Sequence, residues 1–370
     1  LASKGYPGQY DQGAEILGVE KVGAKVYHMG TKREGDRLLT AGGRVMMVVA
    51  EGKDIRAARE KVYAELEKVS CEALFWRRDI AHWALDGRLL DGKAVSTSIK
   101  DALRERVGKL EIKYGRKPSL AVIIVGSNPA SQVYVRNKVK TAIYVGMNSR
   151  LITMAEDVSE EALLKMIDTL NLDPEVDGIL VQLPLPPQID EARVIDAIVR
   201  EKDVDGFHPL NVANLWLGRP CTVPCTPKGI LRLIDESGID LAGKTAVVVG
   251  RSNIVGKPVA KLLLDRNATV VMAHSRTKDL KSVTLQADVL VVAVGRKNVV
   301  TGDMVKPGAV VIDVGVNRDE DGKLCGDVDF VGARLRAAAI TPVPGGVGPM
   351  TIAMLMENTV ESFLARMEEK

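Results

Sequence analysis

The chain has 370 residues, enough for two or three domains with cores of their own. Hydrophobic residues make up 46% and charged residues 27%, and 51 basic against 48 acidic side chains leave a net charge of +3. That balance argues against nucleic-acid binding by bulk charge, and no apolar run reaches the roughly 18 residues of a membrane-spanning helix.

The opening "LASKGYPGQYDQ" is polar and glycine-rich and does not read as a signal peptide. Further on, "GGRVMMVVAEG" predicts a buried strand after a glycine turn. The run "DIRAAREKVYAELEKV" predicts a helix capped by Asp54, with Ile55, Ala58, Val62, Leu66 and Val69 as an apolar stripe. Residues 1–84 therefore read as a small α+β module without a nucleotide loop.

Residues 86–226 open with the long helix of "LLDGKAVSTSIKDALRERVGKL". They continue as strand "SLAVIIVGS", helix "YVRNKVKTAIYVG", strand "SRLITMAE", helix "SEEALLKMIDTLN" and strand "VDGILVQLPLP". Such alternation predicts a parallel sheet covered by helices. Residues 227–345 repeat it with "KTAVVVG", "ATVVMAHS", "ADVLVVAVG" and "AVVIDVGV", β-branched runs typical of a doubly wound sheet buried on both faces. The last segment, 349–370, predicts a helix with Ile352, Leu355, Thr359, Phe363 and Met367 along one side, packing back on the middle region. The fold class is α/β, two such domains behind the amino-terminal module.

Four cysteines, Cys71, Cys221, Cys225 and Cys325, are scattered. The C-x3-C of "PCTVPCTP" lacks a second pair at zinc spacing, so no metal site is expected and the thiols read as reduced, in a cytoplasmic protein.

"VVVGRSNIVGKP" delivers a strand through a glycine turn to a helix start, where phosphate binds. Gly250 and Gly256 are six apart, so the usual G-x-G-x-x-G is absent. The next strand ends in His274, Ser275 and Arg276, with none of the carboxylate that holds an NAD ribose. A hydroxyl there, with Arg276 and with Arg251 in the turn, suits a 2′-phosphate, so NADP is expected rather than NAD. On pattern alone both arginines also fit plain surface positions.

Ligands in open α/β sheets lie at the carboxyl ends of strands. In the middle region that rule brings together Gln182, ahead of the ladder-breaking Pro184, and Tyr134 and Lys138, four apart on the helix after Gly126. Asp205 in "EKDVDGFHP" and the backbone-rich "TPVPGGVGPMT" join them. Taken singly each has a plainer reading: a Tyr–Lys pair is more often a solvated face, an Asp before Gly a turn residue, and His208 and His274 structural histidines.

At these residues the chain resembles the bifunctional methylenetetrahydrofolate dehydrogenase/methenyltetrahydrofolate cyclohydrolase family. The motifs "SNPASQVYVRNK", "DGILVQLPLP", "KDVDGFHP", "PCTPKGI", "GRSNIVGKP", "HSRT", "DVGVN" and "TPVPGGVGPMT" occur in order across residues 86–370. The resemblance implies a Rossmann-like NADP domain beside an α/β catalytic domain, and a homodimer through the cofactor domain. It implies a folate cleft lined by Tyr134, Lys138, Val181, Gln182, Leu183, Asp205, Pro344, Gly345, Gly346, Val347 and Gly348. Within it Lys138 would be the main catalytic group, with Tyr134 beside it, Gln182 its partner and Asp205 the anchor of the pterin ring. Gly250, Arg251, Ser252, Ser275 and Val316 would bind NADP. The implied chemistry is oxidation of the folate's one-carbon bridge by NADP, then hydrolysis of the methenyl group to 10-formyltetrahydrofolate. The second step needs proton shuttling, for which a partly desolvated lysine beside a phenol is suited. A dehydrogenase without hydrolase activity has nearly the same sequence, because one site serves both steps. A non-catalytic scaffold for purine enzymes is the reading from another class, and Lys138, Gln182 and Asp205 speak against it.

The first 84 residues resemble the carboxyl-terminal part of phosphoribosylamine–glycine ligase, through "LASKGYPGQY", "HMGTKREGDRLLTAGGRVMMVVAEG" and "FWRRDIAHWAL". Without the ATP-grasp portion of that enzyme, no ligase activity is expected of this piece.

Overall fold

The structure, a computed structural model, describes residues 1–78, 80, 81 and 87–368. The expected boundary at 84–86, the end of "FWRRDIAHWAL" and the last two residues of the expected final helix lie outside them. The chain divides into two compact units, Leu1–Asp86 and Gly87–Lys370.

The first unit runs β1 (Ala2–Ser3), β2 (Lys25–His28), β3 (Thr31–Glu34), β4 (Arg37–Thr40), β5 (Met46–Val49), α1 (Ile55–Leu66) and β6 (Leu74–Phe75). Its strands pair antiparallel, β1 with β6, β2 with β5 and β3 with β4. The Asp54 carboxylate accepts from the Ala57 amide at 2.7 Å, which caps α1 as its sequence predicts. The apolar stripe of α1 is only partly used. Ile55 is 51% exposed and Val69 is buried in the turn beyond the helix. Ile16, Val45, Met46, Val69 and Leu74 make the core, so strands and connections supply it and the helix adds Leu66 at its carboxyl end.

The second unit begins with β7 (Arg88–Leu89), α2 (Gly92–Tyr114), β8 (Ser119–Val125), α3 (Pro129–Tyr144), β9 (Asn148–Met154), α4 (Glu160–Leu172), β10 (Gly178–Val181), α5 (Glu191–Ala197) and α6 (Pro209–Leu217). Strands β10, β8 and β9 form a parallel three-stranded sheet in that order. Every residue of central β8 is buried, as expected of an apolar run covered on both faces. Asn128 accepts from the Ser131 amide ahead of Pro129, an N-cap followed by an N1 proline, and so fixes where α3 starts.

The unit continues through α7 (Cys225–Ser237), β11 (Thr245–Val249), α8 (Gly256–Asp265), β12 (Thr269–Ala273), α9 (Leu280–Thr284), β13 (Val289–Val292), β14 (Val310–Asp313), β15 (Asn317–Arg318), β16 (Leu324–Cys325), α10 (Phe330–Arg334), β17 (Ala339–Ile340) and α11 (Val347–Glu368). Six parallel strands line up as β12-β11-β13-β14-β17-β7. The four expected strands are its first four, and the order reverses between β11 and β13. Strands β17 and β7 are additions: Arg88–Leu89, expected with the middle region, pairs with Ala339–Ile340 at the edge of this sheet.

Helix α11 packs on α2 and α7. Its burial is wider than the expected single stripe, because neighbours cover it on two sides: Met350, Ala353, Met354, Met356 and Val360 are buried along with Leu355, Thr359 and Phe363. Near its end Arg366 donates to the buried Asp177 carboxylate at 2.8 Å, which Arg116 also grips through both guanidinium nitrogens at 2.8 Å each. Removing one partner of such a buried ion pair costs about 3–5 kcal/mol.

Candidate active site

A cleft of about 410 Å³ opens between α2, α3, the segment after β14 and the loop entering α11. Tyr134 faces it from α3, 45% exposed, and Val316 faces it from the segment after β14. Pro344, Gly345, Gly346, Val347 and Gly348 complete its wall. This loop is pinned from behind. The Gly345 carbonyl accepts from the Lys93 amide at 2.9 Å, and a methyl group on Gly92 would lie 1.9 Å from the Gly346 oxygen. Glycine is therefore required at Gly92 to let α2 touch the loop.

One turn along α3 from Tyr134, the half-buried Lys138 donates from Nζ to Gln182 Oε1 at 3.0 Å. Gln182 follows β10, and its Nε2 donates to the Leu183 carbonyl at 2.6 Å, which leaves the amide's carbonyl end facing the lysine. Asp205 sits where Lys138 acts on it. Burial pushes its carboxyl up to about 6; Lys138 pulls it down, Asp203 adds to the rise, and a hydrogen bond with the Cys225 thiol works against it. Val181, Leu183 and Asp205 line a smaller pocket with Phe207. Asp203 shapes this turn, accepting from the Gly206 amide at 2.9 Å, the His208 amide at 2.8 Å and Asn211 Nδ2 at 2.9 Å.

At the carboxyl end of β11, Gly250 has φ 125°, and a Cβ there would lie 2.2 Å from the Ala293 oxygen. A Cβ on Gly256, the first residue of α8, would lie 2.4 Å from the Gly250 oxygen. The two glycines thus let strand, turn and helix close up, the same physical need that the commoner fingerprint meets with other spacing. The Ser252 hydroxyl accepts from the Val255 and Gly256 amides, both at 3.2 Å. Ser275 and Arg276 lie in the turn after β12, next to this one, since the Gly250 amide donates to the Ala273 oxygen at 2.8 Å. Among the described residues neither the Arg251 nor the Arg276 guanidinium has a hydrogen-bond or ion-pair partner. A glycine cradle at a helix start, with two unpartnered cations, fits a phosphorylated dinucleotide.

Residues 90–205 match the tetrahydrofolate dehydrogenase/cyclohydrolase catalytic-domain model, and residues 224–367 match the NAD(P)-binding-domain model. The bifunctional protein FolD of Streptococcus pneumoniae serotype 4 is 56% identical over 283 residues, 76% of this chain and 99% of that protein. The chain belongs to the tetrahydrofolate dehydrogenase/cyclohydrolase family. The crystal structure of the bifunctional FolD enzyme of Campylobacter jejuni, 52% identical, superposes with a TM-score of 0.74 over 75% of this chain and 99% of that one. FolD of Trypanosoma brucei, solved with NADP and an inhibitor, is 42% identical with a TM-score of 0.74 over 76% of this chain and 99% of that one. Ahead of the dehydrogenase/cyclohydrolase region, residues 1–83 match the phosphoribosylglycinamide synthetase C-domain model.

In this member of the dehydrogenase/cyclohydrolase family the expected site residues form three groups: Tyr134, Val316 and the 344–348 loop around the cleft; Lys138 with Gln182 and Asp205; and the turns of Gly250 to Ser252 and of Ser275. Helix α3 joins the first two. Sequence reasoning missed Asn137 and Thr141, which line the cleft three and seven residues beyond Tyr134. That spacing marks one helical face, and extending the Tyr134 face would have found them. It also missed Lys100, which reaches the cleft from α2, and Asp313, for which no local pattern exists. Both histidines serve the backbone: His208 Nδ1 accepts from the Leu210 amide at 3.1 Å and His274 Nδ1 from the Arg276 amide at 3.2 Å.

Proposed function

We propose that the chain oxidises 5,10-methylenetetrahydrofolate to the 5,10-methenyl form with NADP and hydrolyses that product to 10-formyltetrahydrofolate, Lys138 being the main catalytic group. The observation that carries this is the Lys138–Gln182 hydrogen bond one turn along α3 from Tyr134, the residue that lines a cleft together with Val316 and the loop 344–348. Bound NADP supplies the two-electron oxidant. The chain positions the folate between Tyr134 and the loop, with Val181 and Leu183 beside the ring, and keeps the one-carbon bridge within reach. For hydrolysis, Lys138 holds and returns the proton of the attacking water, and Gln182 fixes where the lysine nitrogen sits. Asp205 accepts from the pterin ring's N–H groups as a carboxylate. Gly250, Arg251, Ser252 and Ser275 hold the nucleotide. The test follows NADPH absorbance with methylene-folate and then the decay of methenyl absorbance. A reduction signal without decay selects a dehydrogenase alone, and no signal refutes the enzyme reading.

Because the Asp205 carboxyl is pushed up to about 6, kcat/KM for folate is expected to fall as pH drops through about 6, with kcat less affected. Stability responds in the opposite sense over the same range. The folded state holds this proton more tightly than the unfolded chain, so between roughly pH 4 and 6 the carboxyl costs stability as pH rises. Asp205→Asn removes both effects. A kcat/KM profile still bending near pH 6 in that variant refutes the assignment.

The same reading makes the enzyme a cytoplasmic homodimer joined through its cofactor domain. Sedimentation of the full chain reads its mass, and a monomer at micromolar concentration refutes the dimer. Among the described residues no helix is long and apolar enough to cross a membrane, and no cluster of His, Cys, Asp or Glu is placed to hold a metal ion.

A further inference from the structure

We infer that Asp327 is a positioning residue for nucleotide binding, its carboxylate holding the loop after β13 and the segment after β14 in the shape that NADP meets. The inference rests on the function proposed above and extends it to a residue that does not line the cleft.

Asp327 is completely buried. Its Oδ2 accepts from the Val294 amide at 2.7 Å and the Gly295 amide at 2.9 Å. Its Oδ1 accepts from the Arg296 amide at 2.8 Å and from Asn317 Nδ2 at 2.9 Å. Three successive backbone amides on one carboxylate make an anion nest, here filled from inside the protein. The loop so held follows β13, next to β11, at the point where the strand order reverses and where dinucleotides lie in sheets of this kind. It also abuts the cofactor turn, as the 2.2 Å approach of a Gly250 Cβ to the Ala293 oxygen demonstrates. Asn317 is the neighbour of Val316, which lines the cleft. One buried charge therefore ties together two segments that border the nucleotide.

Asp313 backs the arrangement. It accepts from the Asp327 amide at 2.9 Å, the Gly315 amide at 3.1 Å and the Val328 amide at 3.0 Å. Two glycines make room for the carboxylates. A Cβ on Gly315 would lie 2.0 Å from Asp327 Oδ1, and one on Gly326 would lie 1.8 Å from Asp313 Oδ2. The segments "DVGVN" and "CGDVD" thus fit as a matched pair, each carboxylate filling the space that the other segment's glycine leaves. Apolar packing stabilises a core at least as well as a buried anion does, so what this carboxylate contributes is defined loop geometry.

The test is Asp327→Asn in the full chain, with the NADP dissociation constant by calorimetry, KM for both substrates, and methenyl-folate hydrolysis, which consumes no nucleotide. Whichever way the amide turns, its nitrogen faces two N–H donors and loses both bonds. The NADP Kd and KM are expected to rise about tenfold or more, while folate KM and hydrolysis change by less than about threefold. Gly315→Ala presses on the same carboxylate and is expected to move the NADP Kd in the same direction. A Kd within about twofold of wild type in both variants overturns the inference, and so does a loss of hydrolysis matching the loss of nucleotide affinity. A wild-type chain that binds NADP but turns over no folate fails the proposed function instead, and the Kd comparison still decides the role of Asp327.

Discussion

Lys138→Ala is expected to abolish methenyl-folate hydrolysis, with a loss of about 10² to 10⁴-fold, while a measurable fraction of the oxidation survives. The two steps ask different things of the site. Oxidation of the one-carbon bridge needs the folate held against the nucleotide, a task that the proposed function spreads over Tyr134, the loop 344–348 and the cofactor turns. Hydrolysis needs a group that takes a proton from water and gives it back. In the proposed function that group is the Lys138 amine, toward which the Gln182 carbonyl end is turned at 3.0 Å. Removing the amine also strands Gln182 Oε1 without its donor. The loss then appears in kcat of the hydrolase more than in folate KM. Steady-state assays of both steps on the purified variant decide the matter, and a lysine-free enzyme that still hydrolyses at the wild-type rate refutes the assignment.

Gly250→Ala is expected to remove NADP binding below detection at millimolar nucleotide. At φ 125° an L side chain is strained whatever the surroundings, and here its first carbon meets the Ala293 oxygen at 2.2 Å. Relief requires β11 and β13 to part at the very ends between which the proposed function seats the nucleotide. Arg251→Ala makes the contrast. It disturbs no packing, since the side chain is exposed and unpartnered among the described residues, and is expected to raise the NADP Kd about tenfold and to narrow the preference over NAD. Calorimetric titration with both nucleotides reads the two variants together. An alanine at 250 that binds NADP within twofold of wild type contradicts the geometry.

Strands β11 to β14 were legible because each is a continuous β-branched run, and burial on both faces demands that pattern. Strands β7 and β17 were not, because a two-residue strand has no period, and Arg88–Leu89 finds its partner some 250 residues away in sequence. The site divides the same way. Tyr134 and Lys138 announce themselves by helical spacing. The Lys138–Gln182 contact spans 44 positions, and only the rule on strand ends and the family likeness brought it into view. Asp327 escaped notice because its partners are chiefly backbone amides, which every residue but proline carries.

The edge strand β7 and the tether from Arg366 to Asp177 have a consequence for folding. The stretch that opens the folate half is stitched into the nucleotide half's sheet, while the chain's final helix is clasped to the folate half. The halves are interleaved, so cutting between residues 226 and 227 yields two incomplete pieces, and residues 87–368 should melt in one cooperative transition.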